Sequence, residues 1–155
     1  MTVQTILELG AESSRVLCTE DDRVVLQQDL PIGTASLARQ WMRHTPPTSL
    51  DIEHAIEQTE DVVMPLAAKL VRTEQLQLRG SGAALILQAV SAKPDAAVRW
   101  SLEDVEDLFN RIAMVSQGRP SGQEALPTAP EFYAAMVILR ECLHHLRFTE
   151  VVVQG

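Results

Sequence analysis

The chain has 155 residues, 46% of them hydrophobic, and a formal net charge of −8. That length points to one domain spanning 1–155, able to bury about 70% of its unfolded surface without a disulfide or metal staple. The acidic balance excludes a nucleic-acid binder, which needs a basic footprint, and no apolar run of about 18 residues offers a membrane span. The opening "MTVQTIL" lacks the basic region and cleavage site of a signal peptide, so the expected location is the cytoplasm. In that setting Cys18 and Cys142, far apart and in apolar surroundings, read as reduced core thiols.

Val3 to Leu9 reads as a buried strand and Arg15 to Thr19 as a second. "EDD" (Glu20 to Asp22) is a turn. Arg23 to Leu30 is a third strand, with a β-branched pair near its start. Three strands joined by short turns form an antiparallel meander. After Pro31 and Gly33 the period changes, and Leu37, Ala38 and Trp41 mark one helix face. "TPPTSLD" breaks the pattern. Thr48, with Asp51 three residues on, is a helix N-cap signature, and Ile52, Ala55, Ile56, Thr59 and Val63 follow at helical spacing. Pro65 must kink or end that helix, because it lacks an N–H and clashes with the preceding turn.

Gln75 to Leu78 reads as a short strand, Gly80, Ser81 and Gly82 as a turn, and Ala83 to Val90 as a mostly apolar helix. "SAKPDAAVRW" (91–100) reads as a loop. Ser101 with Asp104 caps a strongly amphipathic helix carrying Leu102, Val105, Leu108, Phe109 and Ile112 on one face. Gln117 to Pro130 is a connector rich in Gly and Pro, or a partner contact. A last helix from Glu131 to Leu146 has Phe132, Ala135, Met136, Leu139, Leu143 and Leu146 in register, and "TEVVVQ" closes as a strand. The order is β-β-β-α-α-β-α-α-α-β, an α/β mixed sheet flanked by helices.

Two strand–glycine turns carry the chemical interest. "ELGAESSR" (Glu8 to Arg15) is either a phosphate or nucleotide loop or a hairpin turn. Glycines there let backbone N–H groups approach an anion. "RGSGA" (Arg79 to Ala83) either binds an anion at a helix amino terminus or connects strand to helix with glycine serving only the backbone. The other polar clusters point to no chemistry. His144 and His145 are adjacent, so on a helix they point about 100° apart and poorly share one metal, even with Glu141 near. His44 and His54 have no partner nearby in sequence. Glu103, Asp104, Glu106 and Asp107 read as a solvated face favoured by the helix dipole, or a cation site. "ARQWMRH", with Arg39, Arg43 and His44, is the most basic stretch and too sparse for a polyanion. No HExxH, CxxC, Walker or nucleophile-elbow motif occurs.

That element order resembles an actin-like (ribonuclease H-like) lobe. More narrowly, "ELGAESSR", "DLPIGTASLARQWM" (Asp29 to Met42), "RGSGAALIL" (Arg79 to Leu87) and the last two helices with the final strand resemble the C-terminal half of the exopolyphosphatase / guanosine pentaphosphate phosphohydrolase family. The resemblance covers nearly the whole chain. It implies a two-lobed relative that binds a phosphate chain in a cleft between lobes, uses Mg²⁺, and takes its water-activating glutamate from a first lobe. It implies phosphate or nucleotide contacts at Gly10, Ala11, Ser13, Ser14, Gly80, Ser81 and Gly82.

Departures from the family pattern imply a non-catalytic role. Glu12 stands where the family has glycine. At about 4 Å a carboxylate costs a phosphate charge roughly 1 kcal/mol in water and ~4 at an effective dielectric near 20. Arg15 stands where the family has glutamate, which inverts a charge linked to metal or water. Ala83 and Ala84 replace Gly and Thr. The resulting expectation is a phosphatase-like binding or protein-interaction domain with no catalytic residue, no metal and no cofactor, with Glu12 paired to Arg79 or Arg15. Its expected partner is a second copy or a separate protein supplying the other lobe. Two alternatives stand beside it: a fragment or subunit of a Mg²⁺-dependent exopolyphosphatase, and a nucleotide or phosphate sensor.

Overall fold

The computed structural model describes all of residues 1–155. Strands β1 (Val3–Leu9), β2 (Ser14–Glu20) and β3 (Arg23–Leu30) form the meander. Asp21 and Asp22 turn β2 into β3 with φ of 49° and 66°. That left-handed pair matches the strand twist and is tolerated by Asp. Helices α1 (Thr34–Trp41) and α2 (Ser49–Val63) follow. Then come β4 (Gln75–Arg79), α3 (Ser81–Val90), β5 (Val98–Ser101), α4 (Leu102–Ser116), α5 (Pro130–His145) and β6 (Glu150–Val153).

The strands make one sheet of order β3-β2-β1-β4-β6-β5. β1, β4 and β6 run parallel, with antiparallel strands on both flanks. Strand period two divides the side chains. Leu7, Leu9, Val16, Leu30, Leu76, Leu78, Val151 and Val153 enter the apolar core shared with all five helices. The alternate positions Gln4, Glu8, Arg15, Gln27, Asp29, Arg79 and Arg99 are exposed. The helices therefore cover one face of the sheet, and the other is mostly polar, with Ile6 buried and Leu17 and Val152 half-buried among its charged side chains.

α5 lies at the centre of the helical layer. Every residue from Phe132 to Leu139 is at most 2% exposed, where the sequence pattern predicts one buried stripe. A helix buried on all sides must be apolar all round, and Tyr133, Ala134, Val137 and Ile138 complete it. Tyr133 meets this demand by donating its hydroxyl to Pro127 O at 2.7 Å, which also ties down the connector before the helix. Each large side chain there stabilises the fold by about 1.5–3 kcal/mol.

The capping signature of α2 forms as expected. Asp51 N donates to Thr48 Oγ1 at 3.2 Å and Thr48 N donates to Asp51 Oδ2 at 3.0 Å. α2 ends at Val63, and Pro65 lies in a tight turn, Met64–Ala68. Cys18 and Cys142 are buried free thiols, and burial pushes Cys142 up to about 12.

Two expectations are corrected. The stretch 91–100 is not all loop, because Val98 to Trp100 belongs to β5, paired antiparallel with β6. Its alternation of half-buried Val98 and Trp100 with exposed Arg99 and Ser101 spans only four residues at a sheet edge. The turn after β4 is also shorter than read. Gly80 alone makes it, at φ +98°, and Ser81 and Gly82 are already helical.

Candidate functional site

Because β1 and β4 are parallel neighbours, their carboxyl ends bring both glycine turns to one end of the sheet. Glu8, Leu9, Gly10, Ser13, Ser14, Arg15, Asp29, Gly80 and Ser81 line an open cleft of about 310 Å³ there. Five of the seven expected contact residues therefore share one cleft. Ala11 and Gly82 lie outside it.

The reasons are local. Ala11 faces α1, its carbonyl accepting from Ala35 N at 2.8 Å and Ser36 N at 3.1 Å, while Gly10 O accepts from Thr34 N at 3.0 Å. The first N–H groups of α1 are thus satisfied by the Gly10 turn itself. Gly33 permits this approach, since a Cβ on it would lie 2.4 Å from Ala11 O. Ser14 is 5% exposed, and its hydroxyl donates to Ile32 O at 2.7 Å. Ser13 is the exposed hydroxyl of the turn. Gly82 serves packing, as its absent Cβ would meet Leu9 Cγ at 2.3 Å.

The second turn is open. No side chain caps α3, and its first intrahelical bond runs from Ala84 N to Gly80 O at 3.1 Å. The earlier N–H groups of a helix have no partner within it and point out of its end. Here that end carries Gly80 and Ser81 into the cleft wall.

Glu12 is not where the sequence reading puts it. Its carboxylate accepts from Arg39 Nη1 at 3.1 Å and Nη2 at 2.8 Å, on the surface of α1 and outside the cleft. The Arg39 hydrogen bonds, helped by its charge, hold that carboxyl below its usual range against the opposing effect of desolvation. The expected pairing with Arg79 or Arg15 is therefore replaced by Arg39, which α1 presents beside the turn. Arg15 instead donates from Nε to Asp29 Oδ1 at 2.8 Å. That bond and the Asp29 charge, with a smaller contribution from Glu8, raise the guanidinium above its ordinary value.

The strand register explains the cleft floor. Arg15 lies opposite Asp29 on β3 and Glu8 on β1, and Glu8 lies beside Arg79 on β4. Asp29, Arg15, Glu8 and Arg79 make a row of alternating charge across four strands. Asp29 was not singled out from the sequence. Its place one residue before the end of a strand, with Arg15 and Glu8 at matching positions in the meander, was the available signal.

The remaining polar clusters are mostly internal pairs. His44 Nδ1 is 2.9 Å from Asp51 Oδ2. His54 meets Trp41 edge-on at 5.9 Å. Glu106 pairs with Arg140 at 3.1 Å and His144 at 2.5 Å. Another cavity, of about 430 Å³, lies at the opposite end of the sheet, between the Met64–Ala68 turn and the α5–β6 connection.

The sheet order and helical layer are those of an actin-like ATPase-type lobe. Among solved structures, the Ppx/GppA family member from Aquifex aeolicus superposes with a TM-score of 0.76, over 99% of this chain and 52% of that one, at 14% identity. An exopolyphosphatase from Cytophaga hutchinsonii gives 0.64 over 99% and 53%, at 20% identity. An exopolyphosphatase-like protein gives 0.66 over 92% and 49%, at 16% identity. The fold fits a C-terminal-half Ppx/GppA-like domain, and the chain spans about half the length of these structures. No family model matches the chain, and no curated protein matches it in sequence. No helix is long and apolar enough to cross a membrane.

Proposed function

We propose that this domain is a non-catalytic binding module whose cleft takes a phosphate-like oxyanion weakly at the amino terminus of α3. The observation that carries this reading is the position of Arg15 between the cleft's two carboxylates, Asp29 and Glu8. Hydrolysis of a phosphoanhydride needs a carboxylate free to hold a metal or activate water. A cation placed between these two would meet a guanidinium. The exposed backbone end at Gly80 and Ser81 supplies neutral donors that suit one phosphoryl group. Of the residues lining the cleft, Glu8 and Asp29 outnumber Arg15, and this excess negative charge disfavours a long polyanion. The open side of the cleft is covered by a second copy or by a separate protein that supplies another lobe.

The test pairs two measurements. Incubation with polyphosphate and Mg²⁺ should release no phosphate, and melting in inorganic phosphate should move upward. Saturation at 100 times Kd adds about 2.7 kcal/mol. Phosphate release, or a melting curve indifferent to phosphate, would overturn the proposal. Sedimentation of the isolated domain should show a dimer, or a monomer that gains mass when a separate protein supplying another lobe is added.

A second reading rests on the length comparison. The chain spans about half of the exopolyphosphatase structures it matches, so a lobe on another chain or segment could complete a Mg²⁺-dependent hydrolase. That reading predicts phosphate release from polyphosphate only when the other lobe is present, lost in Ser13→Ala.

A further inference from the structure

Away from the cleft, α2 and α5 bring three metal-binding atoms together. Glu60 lies in the last turn of α2. Glu141 and His145 lie four residues apart on α5 and so share one side of that helix. Glu141 Oε1 is 3.4 Å from His145 Nε2, and Glu60 Oε2 is 3.7 Å from the same nitrogen. All three ligand atoms lie within 4.8 Å of one another. A tetrahedral ion with bonds of about 2.0–2.1 Å separates its ligand atoms by roughly 3.4 Å. Small side-chain movements would close this trio on one ion.

Glu141 distinguishes the cluster from an ordinary surface group of acids. It is 3% exposed. Its Oε2 accepts from Arg140 at 3.1 Å, whereas its Oε1 accepts no hydrogen bond and is aimed at His145. A buried carboxyl facing a second carboxylate is costly unless a cation stands between them. His144, on another side of α5, is engaged by Glu106 and leaves His145 as the available imidazole.

We propose that Glu60 Oε2, Glu141 Oε1 and His145 Nε2 bind a divalent transition-metal ion of the zinc class, which clamps α2 to α5. One imidazole with two carboxylates suits Zn²⁺ over Mg²⁺ or Ca²⁺, which favour all-oxygen shells. Three protein ligands leave a fourth position for water. The Glu60 and His145 side chains are 35% and 28% exposed, so the ion has access from solvent. The rival occupant is a proton on His145, bridging the same carboxylates as an ion pair.

The test is calorimetric titration of the EDTA-dialysed chain with zinc chloride, together with melts in zinc or magnesium. One equivalent of zinc should bind at micromolar concentration and raise Tm, with millimolar magnesium giving no shift. His145→Ala and Glu60→Gln should each weaken zinc binding at least about tenfold while their metal-free Tm stays near that of the parent, which separates ligation from folding. Absence of zinc binding at micromolar concentration, or equal binding by His145→Ala, would overturn the site and leave the ion pair as the account of the cluster.

Discussion

The Gly10 turn and the Gly80 turn lie side by side at one end of the sheet, and each meets the amino terminus of a helix. At the first, the turn's own carbonyls occupy the N–H groups of α1, and Ser14 is tied to Ile32 O. At the second, α3 has no side-chain cap and presents its end to the cleft. Two similar sequences, GAESS and GSGAA, therefore diverge because a helix closes over one and leads away from the other. A glycine turn beside a helix becomes an anion site only if the protein leaves the helix end uncovered.

This contrast can be broken by substitution. Gly33→Ala should have the largest effect, because its Cβ would meet backbone oxygens of Ala11 and Gly10 at 2.4 and 2.7 Å. A loss of about 3 kcal/mol in urea unfolding is expected, with phosphate affinity of the folded fraction unchanged. Gly80→Ala should cost about 1–3 kcal/mol, because φ +98° with ψ −172° is a conformation reached almost only by glycine and the Cβ would lie 2.8 Å from Leu9 O, and it should remove the phosphate-induced rise in Tm. If Gly33→Ala abolished phosphate binding and Gly80→Ala did not, the assignment of closed and open turns would be reversed.

Asp51, remote from both turns, is the control for stability. Burial opposes its charge, but hydrogen bonds from Thr48 and His44 prevail and hold its carboxyl below the usual range. A folded value below the unfolded one contributes stability above about pH 4 that disappears as pH falls through the folded value. Asp51→Ala should cost about 1 kcal/mol at neutral pH, and urea melts at pH 3 should show a smaller difference. Phosphate binding should not change. Asp29→Asn should sharpen the picture of the cleft floor. It releases Arg15 and removes a negative charge, so phosphate should bind about threefold tighter, the worth of a unit charge roughly 6 Å away in water. Glu12→Ala should change neither phosphate affinity nor melting, since its Arg39 pair is exposed and outside the cleft.

The meander, the α2 cap and the amphipathic α4 were readable because each rests on neighbours in sequence. Thr48 meets Asp51 three residues on, and period two marks β1 without knowledge of its partners. β5 was hidden because its four residues have little burial of their own and are ordered by β6, about fifty residues away. The same distance problem governs the site. The family resemblance pointed to Gly10, Ser13, Ser14, Gly80 and Ser81, and the structure brings these five to one cleft, but the partner of Glu12 could not be read. Arg39 stood out as part of a basic-leaning stretch, yet only the packing of α1 over the Gly10 turn brings it to the carboxylate. The resemblance also implied contacts at Ala11 and Gly82, which lie outside the cleft, Ala11 with its carbonyl on α1 and Gly82 packed against Leu9.

The position of β6 has a consequence during synthesis. It emerges from the ribosome after the other five strands, yet it sits between β4 and β5, and Gln75 pairs with Glu150 across 75 residues. A nascent chain that has released β1 to β5 still lacks the strand that joins the meander side to its far edge. Native pairing of β5 must wait, and the apolar surfaces of β4 and α5 stay open to chaperones until β6 leaves the exit tunnel.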